Sequence, residues 1–331
     1  MMRYISFFVV LIISTSLAAV EVSQGDYRNR ADVSAFIEKM AKTSDYSEAE
    51  LVTLFSGVEK QDHLFDLLNR PAEKELEWYQ YRPIFIKQKR IDLGVEFWRE
   101  HQQLLSEVSK KTGVPEQIIV AIIGVETFYG IYKGKDPVLD SLVTLAFDYP
   151  KRASFFTREL EQFLLLVKEQ KLNAGELKGS YAGAMGMPQF ISSSYRSYAV
   201  DFDDDGQVNL FDSVADITAS VANYFVRHGW RTGEAIAGPL ILQELNSVEK
   251  LTPGVKPSYK WSELEQNGLK SKVELAPDVN VALVRLEQKN HSEYWAGMKN
   301  FYVITRYNHS ELYAMAVYQL SLLIKAKMEQ N

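Results

Sequence analysis

The chain has 331 residues, 46% of them hydrophobic, and a formal net charge of −6 with both signs interspersed. That apolar content suffices for a sizeable core and two or three subdomains, and no basic stripe marks a nucleic-acid surface. The absence of cysteine excludes disulfides, thiolate metal sites, a cysteine nucleophile and a lipidated N-terminal cysteine.

The chain opens like a secretory signal. Arg3 supplies a positive charge, Tyr4 to Ile13 an apolar run, and Ala18 and Ala19 small residues for cleavage, which predicts a signal over residues 1–19. The apolar run is short for a membrane span. The expectation is an exported, periplasmic protein without a stable membrane anchor.

Residues 20–112 are expected to form a helical subdomain. Val33, Phe36, Ile37 and Met40 recur at helical spacing between Ala31 and Lys42, and either Asp45 or Ser47 can cap the following helix. The stretch from Arg70 to Trp78 reads as a loop entering a charged helix. A further helix carries Phe97, Leu104, Leu105 and Val108 and ends at Gly113.

Pro115 and Glu116 open the next helix, in its first turn, and Gly130 closes it. Its residues are apolar on every face, so it is expected to be buried, and Glu126 is the lone carboxylate in the run. Desolvation favours the protonated form of such a group, the state a general acid needs. Two readings stand at this point: a catalytic acid, or a structural carboxylate satisfied by a distant partner. Residues 113–234 are taken as one unit around this helix.

The segment from Gly179 to Phe190 holds Gly179, Gly183 and Gly186 among small residues, with Ser180, Tyr181 and Gln189 offering hydrogen bonds. It suits a backbone that approaches a ligand closely, or a tight packing turn. The segment Asp201 to Asp212 then matches the twelve-position EF-hand loop. Asp201, Asp203 and Asp205 fall at positions 1, 3 and 5, Gly206 at the turn, Gln207 offers its carbonyl, and Asp212 closes in place of the usual Glu. Helices are expected from Ser194 to Val200 and from Ser213 to His228. The expectation is one structural calcium; an acidic solvated turn is the alternative. No motif points to an organic cofactor. The five histidines show no metal spacing, and neither HExxH nor GxSxG occurs.

Beyond Gly233, prolines and glycines interrupt the chain, and Val279–Leu286 and Lys299–Thr305 read as strands. A small antiparallel β subdomain over 235–305 is expected. Residues 306–331 return as a helix over Ser310–Met328, with Leu312, Met315, Ala316, Leu320 and Ile324 on one face. Tyr307 and Asn308 stand at the junction, suited to line a cleft, with a helix cap as the alternative for Asn308. The class is mainly α, with a minor β component.

Taken together these segments resemble the lytic murein transglycosylase B family. The matching stretches are Gly124 to Gly130, Ser180 to Phe190, Ser193 to Tyr195, Tyr198 through the acidic loop, Ser220 to Tyr224, Phe301 to Asn308 and Tyr313 to Val317. The resemblance runs from about residue 25 to the C-terminus. It implies a lysozyme-like helical core with a single EF-hand, acting on the β-1,4 bond between N-acetylmuramic acid and N-acetylglucosamine in peptidoglycan strands. It places catalysis on Glu126 and saccharide contacts on Ser180, Gln189, Tyr224, Tyr307, Asn308 and Tyr313. The best-known members are lipoproteins, a property the missing cysteine does not carry over. Protein partners are left open.

The residues themselves favour this chemistry. Ordinary glycosidases need two carboxylates, whereas Glu126 has no acidic neighbour within two turns except Glu116 and Asp136, both near loops. A lone acid suits a reaction in which the sugar's own acetamido group and O6 take the remaining roles. A hydrolase on the same scaffold, and a noncatalytic glycan-binding protein stapled by calcium, are the alternatives.

Overall fold

The computed structural model describes residues 20–69, 75–243, 248 and 251–330. The expected signal over 1–19 and most of the expected loop after Arg70 lie outside the described residues. The chain divides into two compact units, one ending at Glu59 and one beginning at Lys60.

The first unit contains α1 (Ala31–Thr43) and α2 (Glu48–Ser56). Val33, Phe36, Ile37 and Met40 are buried as their spacing requires, and the Phe36 and Phe55 rings meet at 5.8 Å. Of the two candidate caps, Ser47 takes the role: its hydroxyl accepts from the Glu50 amide while the Glu50 carboxylate accepts from the Ser47 amide.

The second unit is helical around one buried rod. Its early helices are α3 (Leu64–Asn69), α4 (Trp78–Phe85), α5 (Gln88–Glu100) and α6 (Gln102–Thr112). Phe97 and Leu105 therefore lie on two helices broken at His101, rather than on one. Gly113 ends α6 at φ 72°, in the left-handed region open to glycine.

The rod, α7, runs from Glu116 to Thr127, and every residue from Ile118 to Val125 is buried. Each such Ile or Val contributes about 1.5–3 kcal/mol. Pro115 sits one position earlier than expected, as the extended residue before the helix. The C-terminus also differs: Phe128 and Tyr129 turn left-handed at φ 53° and 61°, before Gly130 at 86°. The half-buried Tyr129 ring holds this turn, its hydroxyl donating to the Arg90 carbonyl at 2.9 Å. Gly124 makes room for that ring, since a Cβ there would fall 2.5 Å from the hydroxyl.

Helices α8 (Val138–Asp148) and α9 (Ala153–Glu169) pack together beside a two-stranded ladder, β1 (Asp136–Pro137) with β2 (Lys178–Gly179). Then α10 (Ser192–Tyr198) and α11 (Val214–Arg227) flank the acidic loop, close to their expected limits.

A five-stranded antiparallel sheet follows, in the order β4 (Tyr259–Lys260), β6 (Asn280–Glu287), β7 (Ser292–Gly297), β3 (Ala237–Leu242), β5 (Leu269–Ser271). Leu283 opposes Ala296 in its register, and α12 (Trp261–Gln266) covers a small core with Trp261 and Leu264.

The expected strand over Lys299–Thr305 is wrong. It is a helix, α13 (Lys299–Ile304). Val303, Ile304 and Thr305 carry local strand preference, but the helix buries Phe301, Val303 and Ile304 together with Asn300. The Asn300 side chain accepts from the Arg231 amide and donates to the Arg231 and Glu234 carbonyls. The last helix, α14 (Glu311–Glu329), packs along α7 and is capped by Ser310, whose hydroxyl accepts from the Tyr313 amide. Ser310, not Asn308, is therefore the helix cap.

Candidate active site

Glu126 stands on the last turn of α7, the partly exposed residue of an otherwise buried run. It opens into a cleft of about 680 Å3. Across from it, the first turn of α14 places Tyr313, whose hydroxyl donates to Glu126 Oε1 at 2.5 Å. Burial pushes the Tyr313 hydroxyl well above the usual tyrosine range, and the Glu126 charge adds to the effect. Tyr313 is thus a neutral donor throughout the working pH range. A hydrogen bond to a charged group is worth about 1.5–3 kcal/mol.

Tyr307 stacks on Tyr313 with ring centroids 6.4 Å apart and planes 10° from parallel. Its hydroxyl, also raised by burial, donates to the Pro188 carbonyl at 2.7 Å. Asn308 and Gln189 line the same cleft. Gln189, held at φ 52°, spends its amide nitrogen on the carbonyls of Lys133 and Gly186. Its carboxamide is thereby fixed before any ligand arrives. Gly186 permits this turn, because a Cβ there would lie 2.4 Å from the Leu210 carbonyl oxygen.

Two expected saccharide contacts have backbone partners of their own. Ser180 is not among the residues lining the cleft; its hydroxyl accepts from the amides of Ala182 and Ala184 and holds the turn. Tyr224 lies behind the cleft wall, 7% exposed, donating to the Arg306 carbonyl and stacked on His228 at 4.1 Å. It backs Tyr307, with ring centroids 4.9 Å apart.

The cleft also has walls that sequence reasoning missed, from Tyr149, Lys151, Arg152 and Phe155, beside Tyr181 of the glycine-rich segment. The Arg152 guanidinium sits 4.2 Å from the centre of the Phe155 ring. Two adjacent cations in a chain of mixed charge give no signal by themselves, since most such pairs are solvated. Glu126 is the one carboxylate among the described residues lining this cleft.

The acidic loop brings Asp201, Asp203 and Asp205 together, with one carboxylate oxygen of each within 4.8 Å of the others. Asp201 also accepts from the amides of Asp205 and Gly206, and Asp205 from that of Gln207. Asp212 does not join them. Its side chain is 78% exposed and pairs with Lys133 at 3.3 Å. Asp216, in the first turn of α11, lies against the loop instead: it is 1% exposed and accepts from the amides of Phe202 and Asn209. Burial raises its carboxyl group, the two amides offset part of that, and Asp203 and Asp201 raise it further. The twelve-position template ends before Asp216, which is why the sequence reading stopped at Asp212. Clustered hard oxygen donors of this kind fit a calcium ion.

Comparison with known proteins places these features in context. The transglycosylase SLT domain profile matches residues 28–322. The chain is 40% identical over 305 residues to membrane-bound lytic murein transglycosylase B of Escherichia coli strain K12, covering 89% of this chain and 83% of that one. Among solved structures it is similar to catenated lytic transglycosylase SltB1 from Pseudomonas aeruginosa, with a TM-score of 0.87 and 45% identity over 92% of this chain and 100% of that one. It is also similar to Escherichia coli lytic transglycosylase Slt35 in complex with calcium, with a TM-score of 0.86 and 40% identity over 93% of this chain and 96% of that one.

Proposed function

Because this chain belongs to the transglycosylase SLT domain family and is a lytic transglycosylase of peptidoglycan, we propose that Glu126 performs its chemistry, first as general acid and then as general base. The observation that carries this reading is the single carboxylate lining the cleft, held by Tyr313. A mechanism needing two carboxylates has no second one here among the described residues.

Glu126 donates its proton to the glycosidic oxygen between N-acetylmuramic acid and N-acetylglucosamine, and the bond from the muramic C1 to that oxygen breaks. The sugar's acetamido oxygen stabilises the cationic anomeric carbon. The Glu126 carboxylate then takes the proton from the muramic O6, which closes on C1. The product ends in a 1,6-anhydro ring, no water is consumed, and Glu126 regains its proton. O6 is already attached to the reacting sugar, so its effective concentration far exceeds that of a competing nucleophile in solution. Tyr313 orients the acid, while Tyr307, Asn308 and Gln189 position the ring and its acetamido group.

Removing a positioning group should show in rate rather than in folding. Asn308→Ala is expected to lower kcat/KM on the order of a hundredfold while changing stability by no more than about 0.5 kcal/mol, because Ser310 caps the helix. Unchanged turnover would remove Asn308 from the site. Tyr313→Phe deprives Glu126 of the donor that orients it, so the rate is expected to fall about tenfold. A rate equal to wild type would contradict this role.

In the same reading, Asp201, Asp203 and Asp205 hold one structural calcium with the Gln207 carbonyl, and Asp216 replaces Asp212 as the carboxylate closing the loop. Slt35 is described with calcium, and the donor set here suits that ion. Residues 113–234 are read as the catalytic core and 235–305 as an appended subdomain, with α14 the helix that returns Tyr313 to the core. The N-terminal signal supports action in the periplasm. No helix among the described residues is long and apolar enough to cross a membrane.

A further inference from the structure

Glu126 stands on the last turn of α7, where the final carbonyls lack partners within the helix and the end is free to fray. The chain then leaves the helix through Phe128 and Tyr129, both at left-handed φ. Residues with side chains keep that conformation only where their surroundings fix it. An acid mounted on such an end needs an anchor outside its own helix.

Thr127, the next residue, supplies one. It is 1% exposed. Its hydroxyl donates to the Met187 carbonyl at 2.9 Å, with the Ile123 carbonyl farther off at 3.3 Å, and accepts from the Gly130 amide at 3.0 Å. The two segments also touch through the Met187 side chain, since a Cβ at Gly130 would lie 2.7 Å from Met187 Cε. Met187 precedes Pro188, whose carbonyl accepts from the Tyr307 hydroxyl. Tyr307 stacks on Tyr313, and Tyr313 donates to Glu126. These contacts close a ring, from Glu126 through Thr127, Met187, Pro188, Tyr307 and Tyr313 back to Glu126. The ring holds the acid at two points, its backbone through Thr127 and its carboxylate through Tyr313. It also ties the acid to Gln189, which follows Pro188 and lines the same cleft.

We propose that Thr127 is a positioning residue for the reaction, its hydroxyl setting the distance between the acid and the groups that hold the sugar. Thr127 is not among the described residues that line the cleft, so it acts through Glu126 rather than on substrate. The proposal rests on the reading of Glu126 given above.

The hydroxyl is tested twice, by comparing wild type with Thr127→Val, of nearly equal volume, and Thr127→Ser with Thr127→Ala. Melting temperatures are recorded first, and kcat and KM are then measured on soluble glycan strands well below each transition. Misplacing a catalytic group by about 1 Å costs on the order of a hundredfold. A partial release therefore predicts a fall of about tenfold or more in kcat, for Val against wild type and for Ala against Ser. KM should stay within about twofold, as for an interaction made only in the transition state. Thr127→Ser keeps the hydroxyl and loses a methyl, so its kcat should stay within about threefold of wild type even where its melting temperature falls. Should the Val variant not fold, the Ser and Ala pair carries the comparison. Equal kcat within either folded pair, a loss confined to KM, or a Ser enzyme as slow as Val would overturn the proposal. Wild-type kcat in Thr127→Val beside an inactive Glu126→Gln would remove the positioning role alone. An active Glu126→Gln would withdraw the acid itself, and the proposal with it.

Discussion

Glu126→Gln is expected to abolish cleavage of purified peptidoglycan while leaving the fold and glycan binding close to wild type. Gln is nearly isosteric and still accepts from the Tyr313 hydroxyl, the contact that positions this side chain. It cannot give a proton to a leaving oxygen or take one from O6, so both halves of the reaction lose their catalyst. Loss of a general acid costs on the order of a hundred- to ten-thousand-fold in rate, and no second carboxylate among the described residues of the cleft stands ready to substitute. The melting temperature should barely move, because the substitution removes a charge from a partly exposed position without opening a void. Turnover within tenfold of wild type would contradict the assignment.

Calcium is expected to raise the melting temperature, and chelator to lower it, without either changing the chemical step. The loop joins α10 to α11, so an ion bound there stabilises the folded chain alone. At a hundredfold excess over its dissociation constant such a ligand contributes about 2.7 kcal/mol, which corresponds to a shift on the order of 5 °C. Asp201→Ala should erase the difference between calcium and chelator, since Asp201 both belongs to the cluster and holds two loop amides. Asp216→Ala should do the same, and Asp212→Ala should not, because Asp212 faces Lys133 and solvent. Identical melting curves with calcium and with chelator in the wild-type protein would remove the ion site.

The parts of the site that showed in the sequence are those whose pattern is local. A helix apolar on all sides is buried whatever surrounds it, and one acid within it stands out; Glu126 needed no fold to be found. The acidic loop was similarly visible, because its ligand spacing is set within twelve consecutive residues. What did not show locally depended on tertiary context. Val303, Ile304 and Thr305 favour a strand by themselves, yet Asn300 and Phe301 bury usefully only from a helix. Asp216 lies beyond the loop template and reaches it because α11 turns its first residues back. The Ser180 hydroxyl accepts from the Ala184 amide and the Tyr224 hydroxyl donates to the Arg306 carbonyl, partners that no sequence pattern announces. Lys151 and Arg152 became cleft residues through the packing of α8 and α9, which no spacing in the chain records.

The most direct measurement of the central claim is the mass of the fragments that wild-type enzyme releases from purified peptidoglycan. Attack by O6 under Glu126 predicts muramic ends closed as 1,6-anhydro rings, each fragment one water lighter than its hydrolytic counterpart. Fragments carrying only reducing ends would contradict the account, assigning the same cleft and the same acid to a hydrolase in which water, rather than O6, attacks C1.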